Sequence, residues 1–321
     1  MGLGAVGRQA VNSLIEEATF DSVTLVHRDP RRIGSLIQGW GDRVEVHRGS
    51  ASDLPEADVT VVALASGQLR AASVALANGS HVVCATDDPA EVRALLGLDG
   101  KARGEGVSVA VGTVMAPGLS CVLAAHLRGH LERVDEIHVA SVGTGGPACA
   151  RRHHSAFAAI AVDWEDGEWR RRPGGSGREL VWFPEPVGGA DCYRAALADP
   201  FLLVPAFPGC RRVTSRLEAT RRDRLTSWLP MLRSPHPEGL LGAVRVEVRG
   251  WMAGRAETEI LGAAIRPAVA AGAVTARAAI WAATGRLARS GSGGLAELVP
   301  APGKFLRELA GDGIAVSSFG G

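Results

Sequence analysis

Two hydrophobic rhythms divide the chain at about residue 125. Before it, short and nearly continuous apolar runs alternate with stretches whose apolar residues recur every three to four positions. Residues 22–28, 43–47, 58–64, 81–85 and 107–111 are the runs, and each reads as a strand. Between them, Val11, Leu14 and Ile15 share one helical face, and residues 69–77 and 89–103 carry helical spacing. Valine-rich strands alternating with helices specify a parallel sheet covered on both faces. Residues 1–125 are therefore expected to form a doubly wound α/β domain of the Rossmann type. From about Val134 the period changes to two. Residues 213–219 and 243–249 alternate apolar and charged side chains, the pattern of an antiparallel sheet with one buried face. Residues 126–262 are assigned to a second, α+β domain, whose sheet would line a substrate cleft or a dimer interface. Residues 164–169 (Trp-Glu-Asp-Gly-Glu-Trp) predict a hairpin with an Asp-Gly turn and the two tryptophans opposed. Residues 170–178 read as a flexible basic loop. The last section, 263–321, opens on an alanine-rich helix over 268–285, followed by a mobile glycine-serine connection at 290–294 and a final edge strand.

Composition narrows the classes. Basic residues number 35 against 34 acidic, so no basic field invites nucleic acid. The most apolar late stretch carries Arg277, and the chain is expected to be soluble, with no membrane partner. The five cysteines, Cys84, Cys121, Cys149, Cys192 and Cys210, are widely spaced and contain no C-x-x-C pair, so neither a disulfide framework nor a metal site is expected. With no signal-peptide pattern, a cytoplasmic location is the expectation. Lysine occurs only at Lys101 and Lys304, which leaves little room for lysine-based catalysis.

Chemistry enters at the first residues. Gly2-Leu3-Gly4-Ala5-Val6-Gly7 is a G-x-G-x-x-G turn opening a helix. In a dinucleotide site the first glycine makes the turn, the second admits the pyrophosphate and the third lets helix and strand approach. The next strand ends at Arg28, where an NAD site would carry an acidic residue for the ribose; arginine there suits a 2′-phosphate, so NADP is favoured over NAD. Asp29-Pro30 reads as a helix start, with Arg31 and Arg32 as helix charges. Only Met1 precedes Gly2, although such a turn normally follows the central strand of its sheet. Five buried strand residues would contribute on the order of 10 kcal/mol, so the first strand is read as truncated and the native start as lying upstream, with Met1 an internal codon.

Residues 109–126 (VAVGTVMAPGLSCVLAAH), together with GLGAVGR at 2–8, HRDPRR at 27–32, GSHVVCATDDPAEV at 79–92 and, more loosely, EILGAAIRPAVAAG at 259–272, resemble the saccharopine dehydrogenase-like oxidoreductases. The resemblance implies an NADP-binding domain, a second domain often used for dimerisation, a cleft between them, and a late helix packed back near the first domain. A homodimer acting on a small-molecule substrate follows from it. Residues 84–88 depart from the family's hydroxyl or carboxylate turn and no lysine stands near the motifs, so the resemblance stops short of saccharopine itself.

Hydride transfer needs a cofactor cradle and an acid or base. The loops at the carboxyl ends of strands supply candidates for cofactor contact: Gly2, Gly4, Ala5, Val6 and Gly7 at the turn, Arg28 at the ribose, and Ser66, Gly67, Gly112, Thr113 and Pro117 toward the nicotinamide. Asp88 is accounted for as the cap of the following helix, whereas Asp87 is free for catalysis or substrate orientation. His153 and His154, expected to begin a helix, are the other candidate proton carriers. The reading is an NADP-dependent oxidoreductase acting on a small carbonyl, imine or secondary amine; its rival is a non-catalytic NADP-binding structural or sensor protein.

Overall fold

The computed structural model describes residues 1–37, 39–231 and 234–319; the side chains of Pro30, Arg32, Ser35 and Leu36 lie outside what is described. The first section contains α1 (Ala5–Glu16), β1 (Val23–His27), a 3-10 turn (Pro30–Ile33) running into α2 (Gly34–Ile37), β2 (Val44–Arg48), β3 (Val59–Val62), α3 (Gln68–Ala77), β4 (His81–Cys84), α4 (Pro89–Leu96), α5 (Asp99–Gly104), β5 (Ser108–Val111) and α6 (Leu119–Arg128). Every strand pair here is parallel. The Rossmann-type reading therefore stands, in two parts: β1 pairs with β2, and β3 with β4 and then β5. Between β1 and β3 lies a cavity of about 270 Å³ lined by both strands and by Val11 and Leu14 of α1. Met1 pairs there, its amine donating to the Val61 carbonyl and its carbonyl accepting from Ala63 N–H.

The second section contains β6 (Arg133–Val142), α7 (Pro147–Ala156), β7 (Ile160–Glu165), β8 (Glu168–Pro173), β9 (Glu179–Trp182), β10 (Gly189–Arg194), α8 (Asp199–Ala206), β11 (Arg212–Glu218), α9 (Arg221–Thr226), β12 (Gly242–Met252) and β13 (Arg255–Ile265). Its sheet is mixed: β6 and β11 run parallel and the other pairs antiparallel. The hairpin forms as expected, with Trp164 opposite Trp169 and ring centroids 5.1 Å apart. Arg170–Arg172, read as a loop, are instead strand residues of β8, and Arg170 and Arg172 pair with Glu168 and Glu165.

The chain then returns to the first section through α10 (Pro267–Ala283), β14 (Gly291–Gly293), α11 (Leu295–Leu298) and α12 (Pro302–Gly311), and ends in β15 (Ser317–Ser318), which pairs with β13 at the edge of the mixed sheet. Helix α10 crosses α1 where Gly272 meets Gln9; a β-carbon at 272 would stand 2.3 Å from that of Gln9. Residues 290–294 are not the mobile connection their composition suggests. Gly291–Gly293 form a buried edge strand parallel to β5, and Asp99 accepts the Ser292 N–H. The stretch 89–103 is likewise two helices, broken at Gly97.

Candidate active site

The glycine turn packs as its spacing requires. A β-carbon on Gly7 would sit 1.8 Å from the Gly2 carbonyl oxygen, and one on Gly2, at φ +92°, would sit 2.5 Å from the Ala63 carbonyl oxygen. Gly4 has nothing within 4 Å of that position. The first and third glycines are thus fixed by close backbone approach, while the second faces open space at the N-terminus of α1, where unpaired N–H groups and the helix dipole favour an anion.

That open space belongs to a cleft of about 290 Å³. On one side lie Gly2, Gly4–Val6 and Ala63–Ala65; opposite are Asp87, Val114–Ala116 and the start of α7. The N-termini of α1 and α7 come together at the cleft, for a β-carbon on Gly146 would come 3.1 Å from that of Ala5. Ala116 and Pro117 are joined by a cis peptide bond. Gly112, Thr113 and Pro117 are buried behind the wall: Gly112 abuts Leu202 and Pro117, and the Thr113 hydroxyl meets that of Thr275 at 3.1 Å. Ser66 and Gly67 are exposed on the loop after β3, held by Glu91, which accepts from Gly67 N–H at 2.7 Å. Arg28 is exposed at the end of β1.

Asp88 caps α4, accepting from the Ala90 and Glu91 N–H groups. Asp87, immediately before it, turns into the cleft and is almost buried. It meets three residues of α7, of which two are charged partners: the Arg152 guanidinium sits on Asp87 Oδ1, and His153 Nε2 lies 3.1 Å from Oδ2. Arg152 also donates to the Ala65 carbonyl at 3.0 Å, which ties α7 to the loop after β3. Cys149, one turn before His153 on the same helix face, completes the cluster, with its sulfur 3.2 Å from Asp87 Oδ2 and 3.5 Å from His153 Nε2.

Charge in this cluster is cooperative. Burial opposes ionising the Cys149 thiol, but the charge and hydrogen bond of His153, helped by the Gly145 backbone, outweigh it and hold the thiol below its ordinary value. Burial likewise opposes the His153 cation; Cys149 and a backbone hydrogen bond to Gly143 prevail over it and over the repulsion of Arg152, raising the imidazole. Asp87, Cys149 and His153 are the three-donor group among the described residues whose ligand atoms lie within 4.8 Å of one another. The Arg152 cation already occupies the Asp87 carboxylate, so the set is arranged as an ion-pair network.

His154 points elsewhere. Its Nε2 meets the Thr226 and Leu229 carbonyls at 2.9 and 3.2 Å, where it anchors the segment after α9. Both histidines stand in the last turn of α7 rather than at its start, because Pro147, at the first helical position, opens the helix after the glycine-rich turn. Cys149 and Arg152 were not among the residues singled out from sequence. The C-x-x-x-H spacing of Cys149 and His153, one helical turn, is the sequence signal for their pairing.

No protein-family model matches the chain, and comparison with curated proteins gives no sequence match. Solved structures do match. The apo form of a saccharopine dehydrogenase (L-Glu forming) from Saccharomyces cerevisiae superposes with a TM-score of 0.71 at 14% identity, covering 99% of this chain and 98% of that one. An amine dehydrogenase from Mycobacterium smegmatis gives 0.54 at 13% identity, covering 92% and 93%. The arrangement of both sections, parallel sheet, mixed sheet and returning helix, is therefore the fold of that saccharopine dehydrogenase structure.

Proposed function

We propose that the protein is an oxidoreductase that moves a hydride between a nicotinamide dinucleotide, NADP in preference to NAD, and a small carbonyl, imine or secondary-amine substrate. One observation carries the reading: the glycine turn and the Asp87–His153 pair open into the same cleft. Gly2, Gly4, Ala5, Val6 and Gly7, with the N–H groups of α1, would hold the pyrophosphate, and Arg28 the 2′-phosphate. The open position at Gly4 fits a phosphate where a side chain would obstruct it. When bound, the nicotinamide would supply the hydride donor or acceptor. The protein's own part is to orient the substrate and carry its proton: His153 Nε2 is the proton-bearing atom, Asp87 fixes the ring, and Arg152 fixes Asp87. The mainly apolar cleft walls, Val6, Met115 and Ala271 among them, would exclude water from the transfer.

Five free cysteines, four of them buried, suit a reducing compartment, and we assign the protein to the cytoplasm. No helix among the described residues is long and apolar enough to cross a membrane. Leu180 and Trp182, both exposed on the edge strand β9, support a homodimer formed through that edge. Titrating NADPH and NADH against intrinsic tryptophan fluorescence tests the cofactor assignment. Saturable quenching by NADPH at lower concentration than by NADH is expected, and the reverse order would contradict the role given to Arg28.

A further inference from the structure

We propose that Cys149 is a covalent nucleophile for aldehydes in this cleft, so that the protein oxidises a small aldehyde through a cysteine-bound thiohemiacetal and thioester. The step rests on the hydride-transfer reading above and adds to it a substrate class and a nucleophile.

Four observations converge on this sulfur. It stands at the third position of α7, where the helix N-terminus stabilises a thiolate. A base lies within reach at His153 Nε2, 3.5 Å away, and the same nitrogen meets Asp87 Oδ2 at 3.1 Å, a carboxylate oxygen that also accepts from the sulfur at 3.2 Å. Nucleophile, base and orienting carboxylate are the three parts an activated thiol needs. The sulfur also lines the cleft shared with the glycine turn, which none of the other cysteines does. Those four are nearly inaccessible, and burial pushes each thiol up, Cys121 and Cys192 to about 12 and Cys210 to about 11.

The chemistry balances with groups already assigned. The thiolate forms a carbon–sulfur bond to the aldehyde carbon, and the carbonyl π electrons become an alkoxide, which takes the His153 proton. Hydride then leaves that carbon for the oxidised nicotinamide while His153 recovers the hydroxyl proton, leaving a thioester. His153 releases that proton to solvent, and the neutral ring then takes a proton from the water that adds to the thioester and expels the thiolate. The sum is aldehyde, water and oxidised cofactor going to carboxylate, reduced cofactor and two protons.

The experiment has a cofactor-free arm and a turnover arm. In the first, iodoacetamide at pH 7 followed by peptide mapping should label Cys149 at least tenfold faster than the other cysteines, and His153→Asn should remove most of that advantage. Propanal or butanal, without any cofactor, should protect Cys149 from labelling. In the second, aldehyde with NADP+ or NAD+ should leave an acyl adduct on Cys149 by mass spectrometry of acid-quenched protein, and reduced cofactor should accumulate. Cys149→Ser should lose both while quenching by the cofactor stays within about twofold. Slow labelling, absence of protection, a stoichiometric metal ion on the native cluster, or cofactor reduction retained in Cys149→Ser would each overturn the proposal. Protection without any cofactor binding would uphold the nucleophile and overturn the proposed function instead.

Discussion

At Gly4 and Gly7 one methyl group has opposite meanings. A β-carbon on Gly7 would occupy the position of the Gly2 carbonyl, so Gly7→Ala must shift the turn or the helix. A clash of that kind costs about 1–3 kcal/mol. A lowered Tm and weaker cofactor binding together are expected. Gly4→Ala meets no protein atom and should leave Tm nearly unchanged, while the new methyl obstructs the phosphate and weakens dinucleotide binding roughly tenfold or more. Thermal unfolding and fluorescence titration of the two variants separate packing from binding, and equal behaviour of the pair would contradict the assignment of Gly4. At Arg28, exposed and at the end of β1, Arg28→Glu should weaken NADPH binding by about tenfold or more and leave NADH nearly unaffected, since the lost partner is the 2′-phosphate alone.

At the scale of elements, the alternation of valine-rich strands and helices was legible because β4 and β5 are buried along nearly their whole length while α1 and α4 bury one face. The antiparallel hairpin was legible from Asp166-Gly167, whose positive φ values of 49° and 86° are what its turn demands. Tertiary contacts decided what the sequence left hidden. Residues 291–293 look like a linker because glycine and serine have no β-propensity, yet they are buried against β5 by the hydrogen bonds of Asp99 and Arg289. Helix α7 was misplaced by several residues because its start depends on Pro147, and that shift hid the facing of Cys149 and His153. The cluster itself joins residues sixty positions apart, which local periodicity cannot report. Gly272, read only as part of an alanine-rich helix, is where α10 touches α1. Gly272→Val should force the helices apart and lower Tm by several degrees in a melting experiment.

Across the whole molecule, the returning helix is tied by charge as well as by packing. Arg277, nearly buried on α10, pairs with Glu17, just after α1, at 2.9 Å and with Asp312 at 2.7 Å, and Glu308 of α12 receives the Trp281 indole N–H at 2.8 Å and Arg286 at 2.8 Å. Burial works against the Glu308 carboxylate, but those hydrogen bonds and the two guanidiniums outweigh it and hold it below the ordinary carboxylate range. A depressed carboxylate stabilises the fold above its unfolded pKa, and that contribution is lost as pH falls through its folded value. Glu308→Gln is therefore expected to lower Tm by a few degrees at pH 7, with the difference from the parent protein closing below about pH 4. A difference that persists unchanged at pH 3 would contradict the ion-pair account.

The fold brings α1, the loop after β4 and α7 to one cleft, and the central claim is that a hydride is exchanged there. The most direct measurement is single-turnover transfer from NADPH stereospecifically deuterated at the reduced nicotinamide carbon, or from NADH so labelled, to panels of aldehydes, ketones and imines, read by mass spectrometry of the product. The account predicts deuterium on the former carbonyl or imine carbon with parent protein, and loss of that transfer in Gly4→Ala at sub-saturating cofactor. Saturable cofactor binding with no deuterium transferred to any member of these panels would contradict it and favour a non-catalytic cofactor-binding protein.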